Sequence, residues 1–133
     1  MLTLRSSDRD TLVATCVRAL PNEGCGLLLG TTDGVVREVV ASQNVADSAK
    51  VYEIDPKVLL RAYRRADAEG LEVLGVFHSH THSEAYPSPT DVAQAPDPSW
   101  HYAIVSFAHR PYALRSYRID DDLVSEEPVI VAD

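Results

Sequence analysis

The sequence contains no apolar run approaching the length of a membrane-spanning helix. Its first residues, MLTLRSSDRD, lack the charged start and apolar centre of a signal peptide. Only two cysteines are present, Cys16 and Cys25, which are too few for a disulfide framework. We therefore expect a protein of the reducing cytoplasm, with both thiols buried as small apolar groups.

Basic residues are scarce: 12 Lys and Arg stand against 20 Asp and Glu, which gives a formal net charge of −8. A negative surface repels phosphate groups, so this balance disfavours nucleic acid and anionic membranes as partners. It remains compatible with a partner that presents a basic surface.

Internal repeats, low-complexity tracts and linker-like segments are also absent. The chain has 133 residues, 45% of them hydrophobic, which is enough length and apolar content for one core. We expect residues 1–133 to form one domain.

Apolar residues at helical spacing predict two main helices. The first covers about residues 8–20. The second begins at Pro56, with Asp55 as its N-cap, and ends at Gly70, which suits a C-terminal cap. A short third helix is expected over about residues 89–95.

Between the helices, runs of apolar and alternating residues predict six or seven strands. Residues 32–34 read as the turn of a hairpin that joins the first two. The expected strands are 25–30, 35–41, 50–54, 71–80, 101–107, 112–119 and 123–131. The fold class we expect is α+β: a mixed, curved β-sheet with two main helices and one short helix.

The segment HSHTHSEAYPSPTD, residues 78–91, suggests a metal site. Residues two apart in a strand point to the same face, so His78 and His80 project side by side. A third ligand must come from elsewhere, and Asp91, at the start of the short helix, is the candidate. Two histidines, one carboxylate and an open position are typical of a catalytic zinc site.

Simpler explanations exist for parts of this pattern. Ser88 and Asp91 at a helix start also form a capping box, and strand-end histidines are often only solvated. The combination of strand, loop and capped helix favours metal binding. Of the other histidines, His82 is expected in the loop, His101 at a strand start and His109 in a turn, none of them as a ligand.

The stretch PNEGCGLLLG offers Glu23 as a general base for a metal-activated water. A carboxylate that enters a buried strand is costly unless it has a partner or a task. Most glutamates in such positions are solvated loop residues, and sequence spacing does not locate Glu23 relative to His78. Both interpretations remain open from the residues alone.

Taken together, a distant Glu23, the HSH of residues 78–80, seven residues and then SPTD resemble the signature of the JAMM (MPN+) metalloprotease family. The likeness extends over most of the chain. It implies one zinc per chain, with His78, His80 and Asp91 as ligands. It also implies Glu23 as general acid/base and Ser88 as the group that stabilises the oxyanion.

Within that family, HSHT…EAYPSPTD and the tail LRSYRIDDDLVSEEPV look most like bacterial peptidases that act in cysteine biosynthesis. The resemblance implies a ubiquitin-like sulfur-carrier protein with a C-terminal Gly-Gly as partner. The enzyme would hydrolyse the amide between the last glycine and an attached cysteine. It implies no acyl-enzyme, so Cys25 need not act as a nucleophile. Thr81 stands where many deubiquitinating members carry proline, and the chain is short, which disfavours a deubiquitinase.

Two alternatives stay open. The same site suits an isopeptidase or peptidase that processes another ubiquitin-like carrier tail. A non-catalytic MPN scaffold is also possible in this family, although it should have lost ligands that are all present here. Glu84, Tyr86 and Trp100 are either candidates to line a substrate groove or ordinary loop and packing residues.

Overall fold

The computed structural model describes residues 1–133 as three helices and eight strands, which confirms the expected α+β class. The elements in chain order are β1 (Leu2–Arg5), α1 (Ser6–Ala19), β2 (Cys25–Gly30), β3 (Val36–Ser42), α2 (Pro56–Glu69), β4 (Glu72–His80), α3 (Pro89–Ala93), β5 (His101–Ser106), β6 (Ala113–Asp120), β7 (Leu123–Glu127) and β8 (Val129–Ala132).

Six strands form one mixed sheet in the order β3-β2-β4-β5-β6-β7. Only the β4–β5 pair is parallel, and the other neighbours are antiparallel. The remaining strands, β1 and β8, pair with each other in parallel.

Helices cover both faces of the sheet, which explains why β2 is buried at every position. On one face α2 packs through Val58, Ala62 and Ala66 against a cluster that includes Leu27 and Val76. On the other face, α1 packs against a second cluster. That cluster includes Leu12, Cys16, Leu28, Phe77 and Ala103. The end of β4 is therefore held between two packed layers.

The second helix begins and ends as predicted. The Asp55 side chain accepts a hydrogen bond from the Lys57 N–H at 2.9 Å, and Pro56 occupies the first turn. Gly70 ends the helix at φ 68°, a left-handed conformation that favours glycine. The first helix begins at Ser6, two residues before the predicted start.

The N-terminal strand β1 was not predicted, and the expected last strand over 123–131 is wrong as one element. Pro128 separates it into β7, which extends the large sheet, and β8, which leaves that sheet to pair with β1. Proline has no N–H to donate to a strand ladder, which accounts for the break.

The expected strand over residues 50–54 is also wrong. This segment lies in a loop that follows β3, and only Ile54 forms an isolated bridge, to Asn44. The Asn44 side chain holds the loop instead, because its Nδ2 donates to the carbonyls of Glu23 and Val51, both at 3.0 Å. Side-chain hydrogen bonds of this kind replace a strand ladder.

Cys16 and Cys25 are both fully buried and free, as expected for thiols that serve as small apolar groups. None of the three helices combines the length and the apolar character needed to cross a membrane.

Candidate metal centre

The C-terminal end of β4 brings two imidazoles together. His78 and His80 project from the same face of the strand, with their Nε2 atoms 3.2 Å apart. Both side chains are buried, with exposures of 1% and 3%. Ser79 points to the opposite face, where its Oγ accepts a hydrogen bond from the Gly24 N–H at 2.8 Å. The alternation of side chains along a strand therefore places His78 and His80 on one face and Ser79 on the other.

Asp91 completes this group from α3. Its Oδ2 lies 3.1 Å from Nε2 of His78 and 3.0 Å from Nε2 of His80. The capping box is present as well: Ser88 Oγ accepts from the Asp91 N–H at 3.0 Å, and Asp91 Oδ2 accepts from the Ser88 N–H at 2.9 Å. Asp91 thus takes part in the helix cap and faces both histidines at the same time.

These three atoms fit a tetrahedral metal. They form a nearly equilateral triangle with sides of 3.2, 3.1 and 3.0 Å. Ligands about 2.0 Å from a tetrahedral zinc lie about 3.3 Å from one another, because the edge of a tetrahedron is about 1.6 times the centre-to-vertex distance. The residues His78, His80 and Asp91 are therefore suited to hold zinc.

The surrounding groups orient both histidines so that the Nε2 atom of each faces Asp91. His80 Nδ1 donates to the Glu84 carbonyl at 2.8 Å, which fixes the ring and leaves Nε2 as the atom that can bind a metal. Burial lowers the pKa of His78 and so favours the neutral imidazole. Its ring stacks on Tyr52 at a centroid distance of 4.2 Å, and its buried Nδ1 has no hydrogen-bond partner.

Asp91 is held as a carboxylate. Burial alone would raise its pKa, but hydrogen bonds with the two histidines and from the Ser88 N–H outweigh that effect and lower it. An anionic oxygen between two imidazoles is the electrostatic arrangement that a divalent cation requires.

Glu23 reaches the site through the register of β2 and β4. Cys25 pairs with His78 in this antiparallel ladder, and the Ser79 N–H donates to the Gly24 carbonyl at 3.0 Å. Continuing the pairing by two residues sets Glu23 opposite His80 on the same face. The structure therefore brings together residues that sequence spacing could not relate.

The Glu23 side chain is only 4% exposed, and its Oε1 has no hydrogen-bond partner. Burial raises its pKa to about 7, although the charge of nearby His80 opposes that rise. A buried, unpaired carboxyl group with a pKa near neutrality can both accept and release a proton.

A polar cleft of about 250 Å³ opens over these groups. We call it the polar cleft, and its lining residues are Glu23, Ala49, Lys50, His80, Thr81, His82, Ser83 and Ser88. The Ser88 hydroxyl accepts a hydrogen bond as a helix cap, and its own proton is not donated within the chain. That proton remains available to a ligand in the cleft.

The other three histidines occupy the loop, strand start and turn expected for them, outside the converging group. His82 is exposed in the loop after β4 and lies 2.9 Å from the Thr81 hydroxyl. His101 is buried against Glu127 at 2.7 Å, and His109 is exposed.

Glu84, Tyr86 and Trp100 do not line one groove. Trp100 is packed, with 8% exposure, along an apolar groove of about 450 Å³ that also contains Tyr52. Tyr86 is exposed in the loop before α3. Glu84 contributes its backbone carbonyl to His80, a role that no side-chain pattern in the sequence could indicate.

Cys25 lacks the environment of a reactive cysteine. It is buried beneath the site, and burial raises the pKa of its thiol to about 12. The thiol is therefore protonated at neutral pH, and the reactive form of cysteine is the thiolate.

The fold and the converging His-His-Asp group define a domain of the JAB (JAMM/MPN) class. The chain belongs to the family described as prokaryotic homologs of the JAB domain, whose model matches residues 6–120. This result confirms the family resemblance noted in the sequence.

The chain is also similar to individual members of this family. The chain is 40% identical over 138 residues to a CysO-cysteine peptidase of Mycobacterium tuberculosis, with 100% of this chain and 92% of the relative covered. It is 33% identical over 113 residues to a desampylase of Haloferax volcanii, covering 79% and 80% of the two chains. A solution structure of a Desulfitobacterium hafniense protein superposes with a TM-score of 0.92 at 36% identity, over 100% of this chain and 94% of that one.

Proposed function

We propose that this protein is a zinc-dependent peptidase. In this proposal it hydrolyses the amide between the C-terminal glycine of a ubiquitin-like sulfur-carrier protein and one attached cysteine. The observation that carries the proposal is the convergence of His78, His80 and Asp91 beneath a cleft that also contains Glu23 and Ser88. The 40% identity to a CysO-cysteine peptidase over the full chain supports this choice of substrate.

A zinc ion held by His78, His80 and Asp91 would supply Lewis acidity for a water and for the scissile carbonyl. Glu23 takes the proton of the attacking water at its unpartnered Oε1, which is buried and has no competing donor. The same carboxyl group then delivers that proton to the leaving nitrogen as the C–N bond breaks. The products are a carrier that ends in a glycine carboxylate and free cysteine.

The Ser88 hydroxyl donates a hydrogen bond to the oxyanion that develops on the scissile carbonyl. This role is compatible with its capping role, because the cap uses the oxygen as an acceptor and leaves the O–H free. Since α3 fixes Ser88 and Asp91 together, the donor and the metal ligand keep a constant separation.

The size of the polar cleft favours a thin substrate. Its volume of about 250 Å³ lies below the roughly 300–1,000 Å³ of pockets that enclose drug-sized ligands. A Gly-Gly tail has no side chains to accommodate, and the leaving cysteine is small. A carrier tail of this kind suits the available space better than a tail of bulky residues.

A second candidate is an isopeptidase that removes a ubiquitin-like carrier from a protein lysine. The 33% identity to a desampylase over most of both chains favours it. The two reactions use the same chemical groups of the site, so only a comparison of the two substrates distinguishes them.

We propose one zinc per chain, residues 1–133 acting as one catalytic domain, and a cytoplasmic location without nucleic-acid or membrane partners. Free, buried cysteines and the net charge of −8 support this setting.

The test is to incubate the purified protein with carrier–cysteine, with a carrier whose tail ends in a bulky residue before the cysteine, and with a carrier–lysine isopeptide. We expect mass spectrometry to show loss of one cysteine residue from the first substrate only. Cleavage of the isopeptide without cleavage of the cysteine adduct would contradict the proposed substrate and favour the second candidate.

A further inference from the structure

We propose that Lys50 forms a carboxylate-binding subsite beside the scissile bond and recognises the free α-carboxylate of the leaving amino acid. This inference rests on the proposed function, since it concerns the leaving side of the same reaction. It identifies the substrate class as a carrier that bears a single C-terminal amino acid.

Lys50 lies where such a subsite is needed. It lines the polar cleft together with Glu23, His80 and Ser88. Among the eight lining residues it is the only lysine or arginine. Glu23 and His80 are buried at the floor of the cleft, whereas Lys50 is exposed at its rim.

The loop that carries Lys50 is tied to the catalytic groups. The Glu23 N–H donates to the Ser48 carbonyl at 2.9 Å. Asn44 Nδ2 donates to the carbonyls of two residues that flank Lys50, Ser48 at 3.3 Å and Val51 at 3.0 Å. The Lys50 N–H itself donates to Ser48 Oγ at 3.0 Å. These bonds fix the backbone of Lys50 relative to the proposed general base.

The opposite wall of the cleft contacts this loop as well. The Thr81 hydroxyl, just beyond His80, donates to the Ala49 carbonyl at 3.4 Å. Lys50 therefore extends from a backbone held on one side by Glu23 and on the other by the end of β4. A ligand therefore has to order only the side chain of Lys50, and the backbone adds no ordering cost on binding.

The charge of Lys50 is available. No carboxylate lies within 4.0 Å of its amine, in contrast to Arg65 and Arg115, which form ion pairs at the surface. The chain carries a net charge of −8, and Glu23 adds a carboxyl group to the cleft itself. An anionic leaving group would be repelled from such a site without a local cation, and Lys50 offsets that repulsion.

The chemistry of the leaving group explains the selectivity. An amino acid attached through its α-nitrogen carries a carboxylate two bonds from the scissile nitrogen. A lysine linked through its side chain within a protein has no carboxylate near that bond. A cation at this position therefore favours single-residue adducts over isopeptides by electrostatic complementarity.

The experiment compares two substrates, carrier–cysteine and carrier–cysteine amide, whose leaving groups differ only in the terminal charge. We expect the wild-type protein to favour the acid by about tenfold in kcat/KM, as for one charge-assisted contact at a partly exposed site. Lys50→Gln should lose that preference by slowing cleavage of the acid and leaving the amide unchanged. The matched control is Lys57→Gln, which changes the chain's other lysine, in the first turn of α2 and outside the cleft, and should keep the preference.

Binding provides a readout that does not depend on turnover. In the Glu23→Gln background, the added change Lys50→Gln should weaken affinity for carrier–cysteine about tenfold by calorimetry, and not affinity for the amide. An acid-to-amide ratio that is equal in wild type and Lys50→Gln, with both adducts cleaved, would overturn the subsite and leave the proposed function intact. If the wild-type protein cleaves neither adduct, the proposed function and this inference both fail.

Discussion

Ser88 and Asp91 hydrogen-bond to each other twice, each side chain accepting from the other's backbone N–H. The oxygen of Asp91 that accepts from Ser88 is Oδ2, the same atom that faces His78 and His80. The start of α3 and the geometry of the candidate metal ligand therefore depend on the same pair of bonds. A change at either residue should affect both stability and the site.

Replacing Ser88 tests how its two roles separate. Ser88→Ala removes the cap and should lower the free energy of unfolding by about 1 kcal/mol, whereas Ser88→Gly should cost only a few tenths. Both variants lose the hydroxyl donor, so both should lower turnover by about 10²-fold or more. Urea unfolding and steady-state kinetics measure the two effects, and full activity in Ser88→Gly would limit Ser88 to capping.

The ligand set can be tested by metal content. The purified protein should hold about one zinc per chain, and His80→Ala or Asp91→Ala should lower that content on elemental analysis. His82→Ala is the matched control, because this exposed histidine lies two residues from His80 and lines the polar cleft but is not one of the converging ligands. Unchanged zinc in both ligand variants would rule out the set.

Glu23→Gln tests the proton-transfer role. The substitution keeps the shape of the side chain and the backbone bonds to Ser48 and Asn44, so the fold and the zinc content should be preserved. Turnover should fall by roughly 10²–10⁴-fold, as is usual on removal of a general base. Near-wild-type turnover in a folded, zinc-loaded Glu23→Gln protein would refute the role.

A buried cluster remote from the cleft predicts acid sensitivity. Burial alone would raise the pKa of Glu127, but hydrogen bonds from His101, the N-terminal amine and Ser116 outweigh it and lower the pKa to about 2. The unfolded chain has the ordinary value near 4.5, so this group stabilises the fold fully above about pH 4.5. That contribution, about 3 kcal/mol, is lost as the pH falls from about 4.5 toward 2.

Unfolding measured across this pH range should therefore show a steeper loss of stability in wild type than in Glu127→Gln. The neighbouring Glu126 is a suitable control, since it is exposed and pairs only with Arg115 at the surface. Glu126→Gln should leave the pH dependence unchanged, whereas identical profiles for wild type and Glu127→Gln would show that Glu127 contributes nothing.

The sequence allowed His78, His80, Ser88 and Asp91 to be grouped because they lie within fourteen residues of chain, on one strand, one loop and one helix start. Side-chain alternation in a strand and the geometry of a capping box are local properties, so both can be predicted from the neighbouring residues. The pairing of the two histidines and the capping box are both present in the structure.

The position of Glu23 could not be obtained in this way. It depends on the antiparallel register of β2 and β4, where Cys25 pairs with His78 across 53 residues of chain. The family resemblance suggested the role, and the geometry is compatible with it, but the role itself stays a prediction. Long-range register of this kind is set by the whole core and not by the residues around Glu23.

The loop of residues 43–55 was misjudged for a different reason. The alternation in KVYEI is typical of a strand, yet the segment is organised by the side chain of Asn44, which substitutes for a ladder. The error matters for function, because this loop carries Lys50 and also Tyr52, whose ring stacks on His78. A propensity argument could not have identified either contact.

The most direct test of the account is a zinc titration of chelator-treated protein, with release of free cysteine from carrier–cysteine as the readout. We predict no release without metal, and a rate that rises linearly with added zinc and stops rising at about one equivalent per chain. His80→Ala, titrated in parallel, should remain inactive at that stoichiometry. Undiminished cysteine release from metal-free protein would contradict the account, because the three converging ligands would then have no part in the reaction.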